Sequence, residues 1–518
     1  MNYYYNLGRL FKKVSLKNKN NIALLFSLNS HLSYQEYDIL SNKMARYFLD
    51  HGIKKADVVC VSGEKHISTY IVILACLKIG AIYSIFDPNS PIDRLNKIIL
   101  KCDPKIIFSD SSIDELQRNI DERDGVIFLS NNNNIIMDNI VSLSGDSILE
   151  TENITGNNGA YIMFTSGSTG FPKGVLITHN NLLNFIAWSA QEFNIRPGDR
   201  ATNVNPLFFD NSVFDFYTTI FNGATLVPID GDLVKDPARL IEKVDELKCT
   251  QWFSVPSLLI YMDTLKAFNK DNMKSVKRII FGGEGFPKKK LKLLYALYGH
   301  KANFYNVYGP TECTCMCSSY TIQDHDLEST VGLSPLGKIA QNFDYIILKD
   351  KCIESSDEGE LCLIGPCVGS GYYNDSSQTK KAFVQNPLNT MFRQIMYRTG
   401  DIVHLNGDDG YLYFVTRKDN QIKHMGYRVE LEEIESAANS IDYINESSAL
   451  HGYINNNSRI YLVLSINIEV ESAVIKNDLR KIIPEYMIPS KVIIMKMLPK
   501  NANGKIDRNI LKKNMELL

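Results

Sequence analysis

Between about residues 20 and 130, short apolar runs alternate with longer segments whose apolar positions recur at helical spacing. The short runs are 22–26, 58–61, 81–86, 106–108 and 126–129, and the longer ones are 34–50, 66–79 and 92–101. This alternation predicts βαβ units and a mostly parallel sheet, because parallel strands need a long crossover. Asp87-Pro88 and Ser90-Pro91 break the chain between strand and helix. The polar run 131–134 and the aperiodic stretch 141–158 predict a surface connection.

A strand over 161–164 follows, then a glycine-rich stretch, then a strand-like 175–179 and a helix capped by Asn180 and running to about residue 193. The second α/β series has strands at 202–205, 225–228 and 251–255 and helices at 213–221, 237–247 and 257–268. Strands 278–281 and 304–307 run into GGEG (282–285) and YGPTE (308–312). Ligands favour such carboxyl ends of parallel strands. After about residue 331, short strands separated by Gly, Asp and Asn predict a small β-rich region. The last hundred or so residues predict a compact α+β unit, with helices at 431–439 and 471–483 and strands near 447–453 and 459–466.

At 518 residues the chain is too long for one core. Its 56 basic and 58 acidic side chains leave a net charge of −2, which implies neither nucleic acid nor a membrane surface as partner. Residues 69–86 come nearest to a membrane span, but Lys78 and Gly80 interrupt them, so a helix ending at Gly80 and a core strand are expected. Ten scattered cysteines and an N-terminus without a signal pattern fit reduced thiols and a cytoplasmic location. Cys313, Cys315 and Cys317 alternate along a segment expected to be extended, as small hydrophobes rather than metal ligands.

The stretch YIMFTSGSTGFPKG (161–174) fits neither core nor ordinary surface. Its glycines can lay backbone N–H groups against a polyanion, and Lys173 adds a mobile positive charge. It is not a Walker loop, because Lys173 lies between Pro172 and Gly174 and a strand follows.

The glycine loop, YGPTE, YRTGD (397–401) and the C-terminal NGK with Lys505 together resemble the adenylate-forming superfamily. Among its members they look most like the amino-acid-activating adenylation domains of nonribosomal peptide synthesis and the stand-alone D-alanine:carrier-protein ligases. LSYQEY (32–37), GELCLIGPCVGSGYY (359–373), EYMIP (485–489) and LPKNANGKIDR (498–508) extend the resemblance over the whole chain.

The resemblance implies a large N-terminal domain, 1–418, of two βαβ sheet subdomains plus a small β-rich one. A small mobile α+β domain, 419–518, follows and carries Lys505, with the hinge at Asp419. It implies ATP and Mg²⁺, with Thr165, Ser166, Gly167, Ser168, Thr169, Gly170 and Lys173 on the phosphates and Glu312, with Thr165, on the metal. Asn306 and Tyr308 would contact adenine, with Gly283 of GGEG on its other side. Asp401 would bond the ribose hydroxyls, with Arg417 as a second contact, although the family's glycine before that arginine is Thr416 here. Lys505 would bridge the substrate carboxylate and the α-phosphate as charge builds up.

In NPLFFDNSVFDFY (205–217), Asp210 occupies the family position that pairs with an α-ammonium group; as a helix N-terminal acid it has a purely structural role open to it as well. The remaining pocket positions are Asn211, Phe214, Ser254, Ile280, Gly282, Val307, Cys315 and Met316. Gly282 gives room, Phe214 and Met316 limit depth, and Ser254 or Asn211 offers limited polarity, which suits a small or medium uncharged side chain.

The implied function is ATP-dependent activation of an amino acid, then transfer to the phosphopantetheine thiol of a carrier protein. No condensation-type HHxxxD segment appears and the sequence ends soon after Lys505, so a separate carrier polypeptide is expected. A D-alanine:carrier-protein ligase and a carboxylic acid:CoA ligase are the enzyme alternatives. A nucleotide-binding scaffold is disfavoured by the intact Lys173, Glu312, Asp401 and Lys505.

Overall fold

The computed structural model describes residues 4–110, 125–131, 134–167, 171–350, 353–454, 457–500 and 506–515. The chain divides into two compact units. One comprises Met1–Pro88, Lys101–Phe164 and Gly174–Lys418; the other comprises Asn89–Leu100, Thr165–Lys173 and Asp419–Leu518.

In the first unit, strands β1 (Ile22–Ser27), β2 (Ser30–Ser33), β3 (Val58–Ser62), β4 (Ile82–Phe86), β5 (Ile106–Ser109), β6 (Ile127–Ser130), β7 (Gly159–Thr165) and β8 (Lys173–Thr178) come first. They are followed by β9 (Arg200–Asn203), β10 (Thr225–Pro228), β11 (Gln251–Ser254), β12 (Arg278–Gly282), β13 (Asn303–Tyr308), β14 (Ser318–Thr321) and β15 (Lys338–Ile339). One sheet has the order β6-β5-β3-β4-β7-β8, and a nine-stranded sheet has the order β15-β14-β13-β12-β11-β9-β10-β1-β2. The pairs from β1 through β10, β9, β11 and β12 to β13 are parallel, as the alternating pattern requires. Antiparallel β2 and β14 flank this block.

The β-rich region is a third, antiparallel sheet. Its strands are β16 (Asp344–Asp350), β17 (Ile353–Glu354), β18 (Glu358–Ile364), β19 (Phe383–Gln385), β20 (Ile395–Leu405) and β21 (Leu412–Arg417), with β21 on β20. The second unit adds a hairpin of β22 (Gln421–His424) and β23 (Tyr427–Glu430) and a sheet of β24 (Ile444–Ile454), β25 (Asn457–Ile466) and β26 (Lys491–Ile494). Helices Leu431–Asn439 and Ser472–Arg480 bury Ile434, Ala438, Ile475 and Leu479 in the core of this unit.

Helix Tyr34–Asp50 starts where expected because Ser33 and Glu36 form a reciprocal capping box. Helix Ile67–Ile79 is buried all round and stops at Gly80, whose φ of +75° suits glycine. Three expectations need correction. The helix His179–Glu192 is capped by Thr178, which exchanges hydrogen bonds with Asn181, and not by Asn180. The helix expected over 213–221 is a short turn, Asn211–Val213, followed by a wide helical turn, Phe214–Thr218. An N-terminal helix, Leu7–Lys17, buries Leu7 and Phe11 where no element was expected. The stretch 141–158 is the expected surface connection, largely exposed, and it is anchored where buried Thr151 donates to the Lys78 carbonyl at 2.7 Å. Among the described residues no helix is long and apolar enough to cross a membrane.

The cap assignment predicts opposite outcomes for adjacent residues. Thr178→Ala costs about 1 kcal/mol of stability, and Asn180→Ala stays within about 0.5 kcal/mol. Urea unfolding midpoints of the two variants check this.

Candidate active site

Strand β13 ends at Tyr308, and the chain reverses there before β14. The reversal is tight: a Cβ on Gly309 would lie 2.3 Å from the Met316 Cα, and the Cys317 N–H donates to the Tyr308 carbonyl at 2.8 Å. Thr311–Cys313 form a single helical turn, and Thr314 (φ 60°) and Cys315 (φ 76°) adopt left-handed backbone. The extended run expected from Cys313 to Cys317 is therefore absent, and Cys315 and Met316 are both buried rather than facing opposite ways on a strand.

The turn carries Glu312 to a fully buried position. Its Oε1 accepts from the Tyr372 hydroxyl at 2.8 Å, and its backbone carbonyl accepts from the Gly369 N–H at 2.8 Å. Beside it, the Thr311 hydroxyl donates to Asp210 Oδ2 at 2.5 Å. Asp210 precedes the turn Asn211–Val213 but makes no side-chain cap bond to it.

Register places Asp401 of β20 opposite Arg417 of β21. Arg417 donates to Asp401 Oδ1 at 2.5 Å, and the Tyr308 hydroxyl donates to Oδ2 at 2.5 Å. Burial, then the negative charge of Asp401, holds the Tyr308 phenol well above its ordinary range, so it stays a donor. Asn306, on the same strand as Tyr308, is buried and donates its amide to the Pro335 carbonyl at 2.7 Å.

The other pocket candidates follow the strand ends. Phe214 is fully buried and meets Phe185, Phe193 and Phe253 edge-on, with ring centroids 6.5, 5.1 and 5.0 Å away. Ile280 and Val307 are buried on β12 and β13. A Cβ on Gly282 would stand 2.4 Å from the Val307 carbonyl oxygen. Gly283 has φ +88°, and a Cβ there would lie 3.7 Å from Asn211 Nδ2. Ser254 accepts from the Trp252 indole at 2.8 Å and donates to the Val255 carbonyl at 3.2 Å, so this hydroxyl, from which pocket polarity was expected, is used within the protein. Sequence reasoning missed Thr311 and Tyr372; the only signals were a hydroxyl next to Glu312 in YGPTE and the paired tyrosines of GSGYY.

In the second unit, Ser166, Gly167 and Lys173 of the glycine stretch lie against the residues after Asp419. The Ser166 hydroxyl donates to the Arg428 carbonyl at 2.8 Å, and the Gly167 N–H donates to Glu433 Oε2 at 3.3 Å. Lys173 Nζ is 3.9 Å from Glu430 Oε1, and Arg94 pairs with Glu433. The Thr165 hydroxyl is buried and has no hydrogen-bond partner among the described residues. N–H groups and cations that take carboxylates here have the chemistry to take phosphate oxygens. Asp419 accepts from the Gln421 N–H at 3.2 Å. Ser168, Thr169, Gly170 and Lys505 lie outside the described residues.

An α/β sheet with glycine turns and partnered carboxylates at its strand ends is the framework of a nucleotide-handling enzyme. A family model for AMP-binding enzymes matches residues 11–373, and the chain belongs to that family. It is an adenylate-forming ligase. The D-alanine–D-alanyl carrier protein ligase of Listeria monocytogenes serotype 4a (strain HCC23) is 32% identical over 493 residues, covering 93% of this chain and 94% of that one. That of Bacillus licheniformis is 30% identical over 495 residues, with the same coverage. Among solved structures, an artificially fused adenylation–PCP di-domain from Klebsiella oxytoca superposes with TM-score 0.83 at 21% identity, covering 95% of this chain and 94% of that one. An o-succinylbenzoate CoA synthetase from Bacillus subtilis superposes with TM-score 0.84 at 21% identity, covering 98% of each chain. These two likenesses concern the fold.

The strand-end glycines differ in what they forbid. Gly283→Ala costs about 1–2 kcal/mol, the strain of a left-handed alanine. Gly282→Ala meets a backbone oxygen and costs about 3 kcal/mol, together with loss of activity. Urea unfolding and an adenylation assay on both variants check the order.

Proposed function

We propose that the protein activates an α-amino acid with ATP and passes it to the phosphopantetheine thiol of a separate carrier protein. Asp210 carries this reading. Its carboxylate accepts from Thr311 and does not cap the adjoining turn, so capping does not account for it, and a carboxylate is the group that pairs with an α-ammonium.

In this proposal Asp401, partnered by Tyr308 and Arg417, takes the ribose hydroxyls. Tyr308, Asn306 and Gly283 line the adenine. Asn211, Phe214, Ile280, Gly282, Val307, Cys315 and Met316 bound a small or medium side chain, and Ser254 contributes bulk rather than polarity. The loop from Thr165 to Gly170 and Lys173 receive the β- and γ-phosphates. Lys505 neutralises charge between the substrate carboxylate and the α-phosphate, and movement about Asp419 brings it there and withdraws it.

The donor chemistry also fits Mg²⁺, which prefers hard oxygen ligands: Glu312 offers a carboxylate, and Thr165 a buried hydroxyl with no hydrogen-bond partner among the described residues. When bound, the ion would neutralise phosphate charge.

D-Alanine is the first substrate to test. A small side chain suits the pocket positions, and the relatives at 30–32% identity are named for that amino acid.

The test is amino-acid-dependent exchange of pyrophosphate into ATP across D-alanine, the proteinogenic L-amino acids and their des-amino acids. Strong exchange with one amino acid is expected. Exchange confined to acids lacking the amino group, with acyl transfer to free CoA, would replace this reading by a CoA ligase. Asp210→Ala should lower kcat/KM for the amino acid on the order of 100-fold, the loss of a close charge pair, with KM for ATP nearly unchanged. Lys505→Ala should suppress exchange while the melting temperature is retained.

A further inference from the structure

The segment that carries Asp210 leaves β9 after Asn203 and reaches the wide turn Phe214–Thr218. Three polar side chains in this largely apolar stretch close it at its foot. Asp215 is fully buried, and its Oδ2 accepts from Asn203 Nδ2 at 2.9 Å and from Asn205 Nδ2 at 3.0 Å. The same amides reach further, Asn205 Nδ2 to the Phe253 carbonyl at 3.0 Å and Asn203 Nδ2 to the Asn205 carbonyl at 3.2 Å. The Tyr70 hydroxyl donates to Asn203 Oδ1 at 2.7 Å, and Lys65 Nζ donates to the carbonyls of Asn203 at 2.6 Å and Ile229 at 2.8 Å. This network ties together the loop after β3 and the ends of β9, β10 and β11, with the carboxylate holding the two amides at its centre.

Burying a carboxylate is unfavourable unless its charge and lone pairs are met. Here burial pushes Asp215 up and Lys65 down, and each charge opposes the other's shift. Oδ1 of Asp215 has no hydrogen-bond partner among the described residues. An apolar contact would hold a loop at less cost, but it would not fix two side-chain amides in direction. Above the foot the segment is stapled again. The Ser212 hydroxyl reaches the Leu207 and Phe209 carbonyls at 3.1 and 2.7 Å, and the Val213 N–H donates to the Asp210 carbonyl at 2.9 Å.

We infer that Asp215 is a positioning residue for Asp210: through Asn203 and Asn205 it fixes both ends of segment 205–215, so that the Asp210 carboxylate is presented at one place to the substrate's ammonium group. The inference rests on the reading of Asp210 given above. It gives the network a role in recognising the amino group, because the strength of a charge pair depends on its separation.

The experiment uses the full-length protein with Asp215→Ala, Asp215→Asn and Asn205→Ser. Pyrophosphate exchange is measured with the preferred amino acid and with its des-amino acid, alongside KM for ATP and hydrogen exchange of peptides covering 205–213. In Asp215→Ala, kcat/KM for the amino acid should fall at least about tenfold, with the des-amino acid and KM for ATP within about twofold. Amide exchange should quicken in 205–213. Asp215→Asn keeps an acceptor for the two amides and should restore most of the preference, which a loss of stability alone would not predict. Asn205→Ser leaves the bond from Asn203 to Asp215 in place and should show the same pattern more weakly, which covers the case in which Asp215→Ala does not fold.

Equal losses for both acids, or an intact preference despite faster exchange, would overturn the inference. A wild-type enzyme without an amino-group preference would instead remove the reading of Asp210. Unchanged protection of 205–213 in Asn205→Ser would then still overturn the anchoring.

Discussion

Parallel pairing is the constraint from which the site follows. Strands β9 to β13 run the same way, every connection between them must cross back over the sheet, and their carboxyl ends therefore share one edge. Register does the rest. Gly282 lies opposite Val307, and Ser254 lies opposite Phe281. A side chain at Gly282 would collide with the neighbouring carbonyl, so the glycine is demanded by the pairing itself. The antiparallel β14 then forces the reversal that sends Glu312 inward.

Three carboxylates of the first unit receive hydroxyl donors: Asp210 from Thr311, Glu312 from Tyr372 and Asp401 from Tyr308. A neutral hydroxyl orients a carboxylate without cancelling its charge, whereas an arginine does both. Asp401 also pairs with Arg417.

Much of the fold was legible in the sequence because periodicity and caps agree. Helix Tyr34–Asp50 has its capping pair three residues apart, and the block from β9 to β13 has strand-length apolar runs bounded by turn residues. What stayed hidden depended on contacts between distant residues. Thr178 and Asn180 are both plausible caps, and packing of Asn181 against the Pro366 and Val368 carbonyls distinguishes them. Thr314 and Cys315 take left-handed backbone although neither is a glycine, so no local signal marks the reversal. The partner of Ser254 depends on which face of β11 carries Trp252, which a four-residue strand does not reveal. Asp210, Asp401 and Glu312 could be placed by motif, but Thr311, Tyr372 and Asp215 needed coordinates.

The described cysteines are all buried, and burial holds the thiols of Cys76, Cys315 and Cys317 above their ordinary range. A thiol kept protonated and away from solvent is a poor nucleophile. An activated acyl group formed on this protein would meet no competing thiolate among these residues. Among the described cysteines, self-acylation is thereby disfavoured.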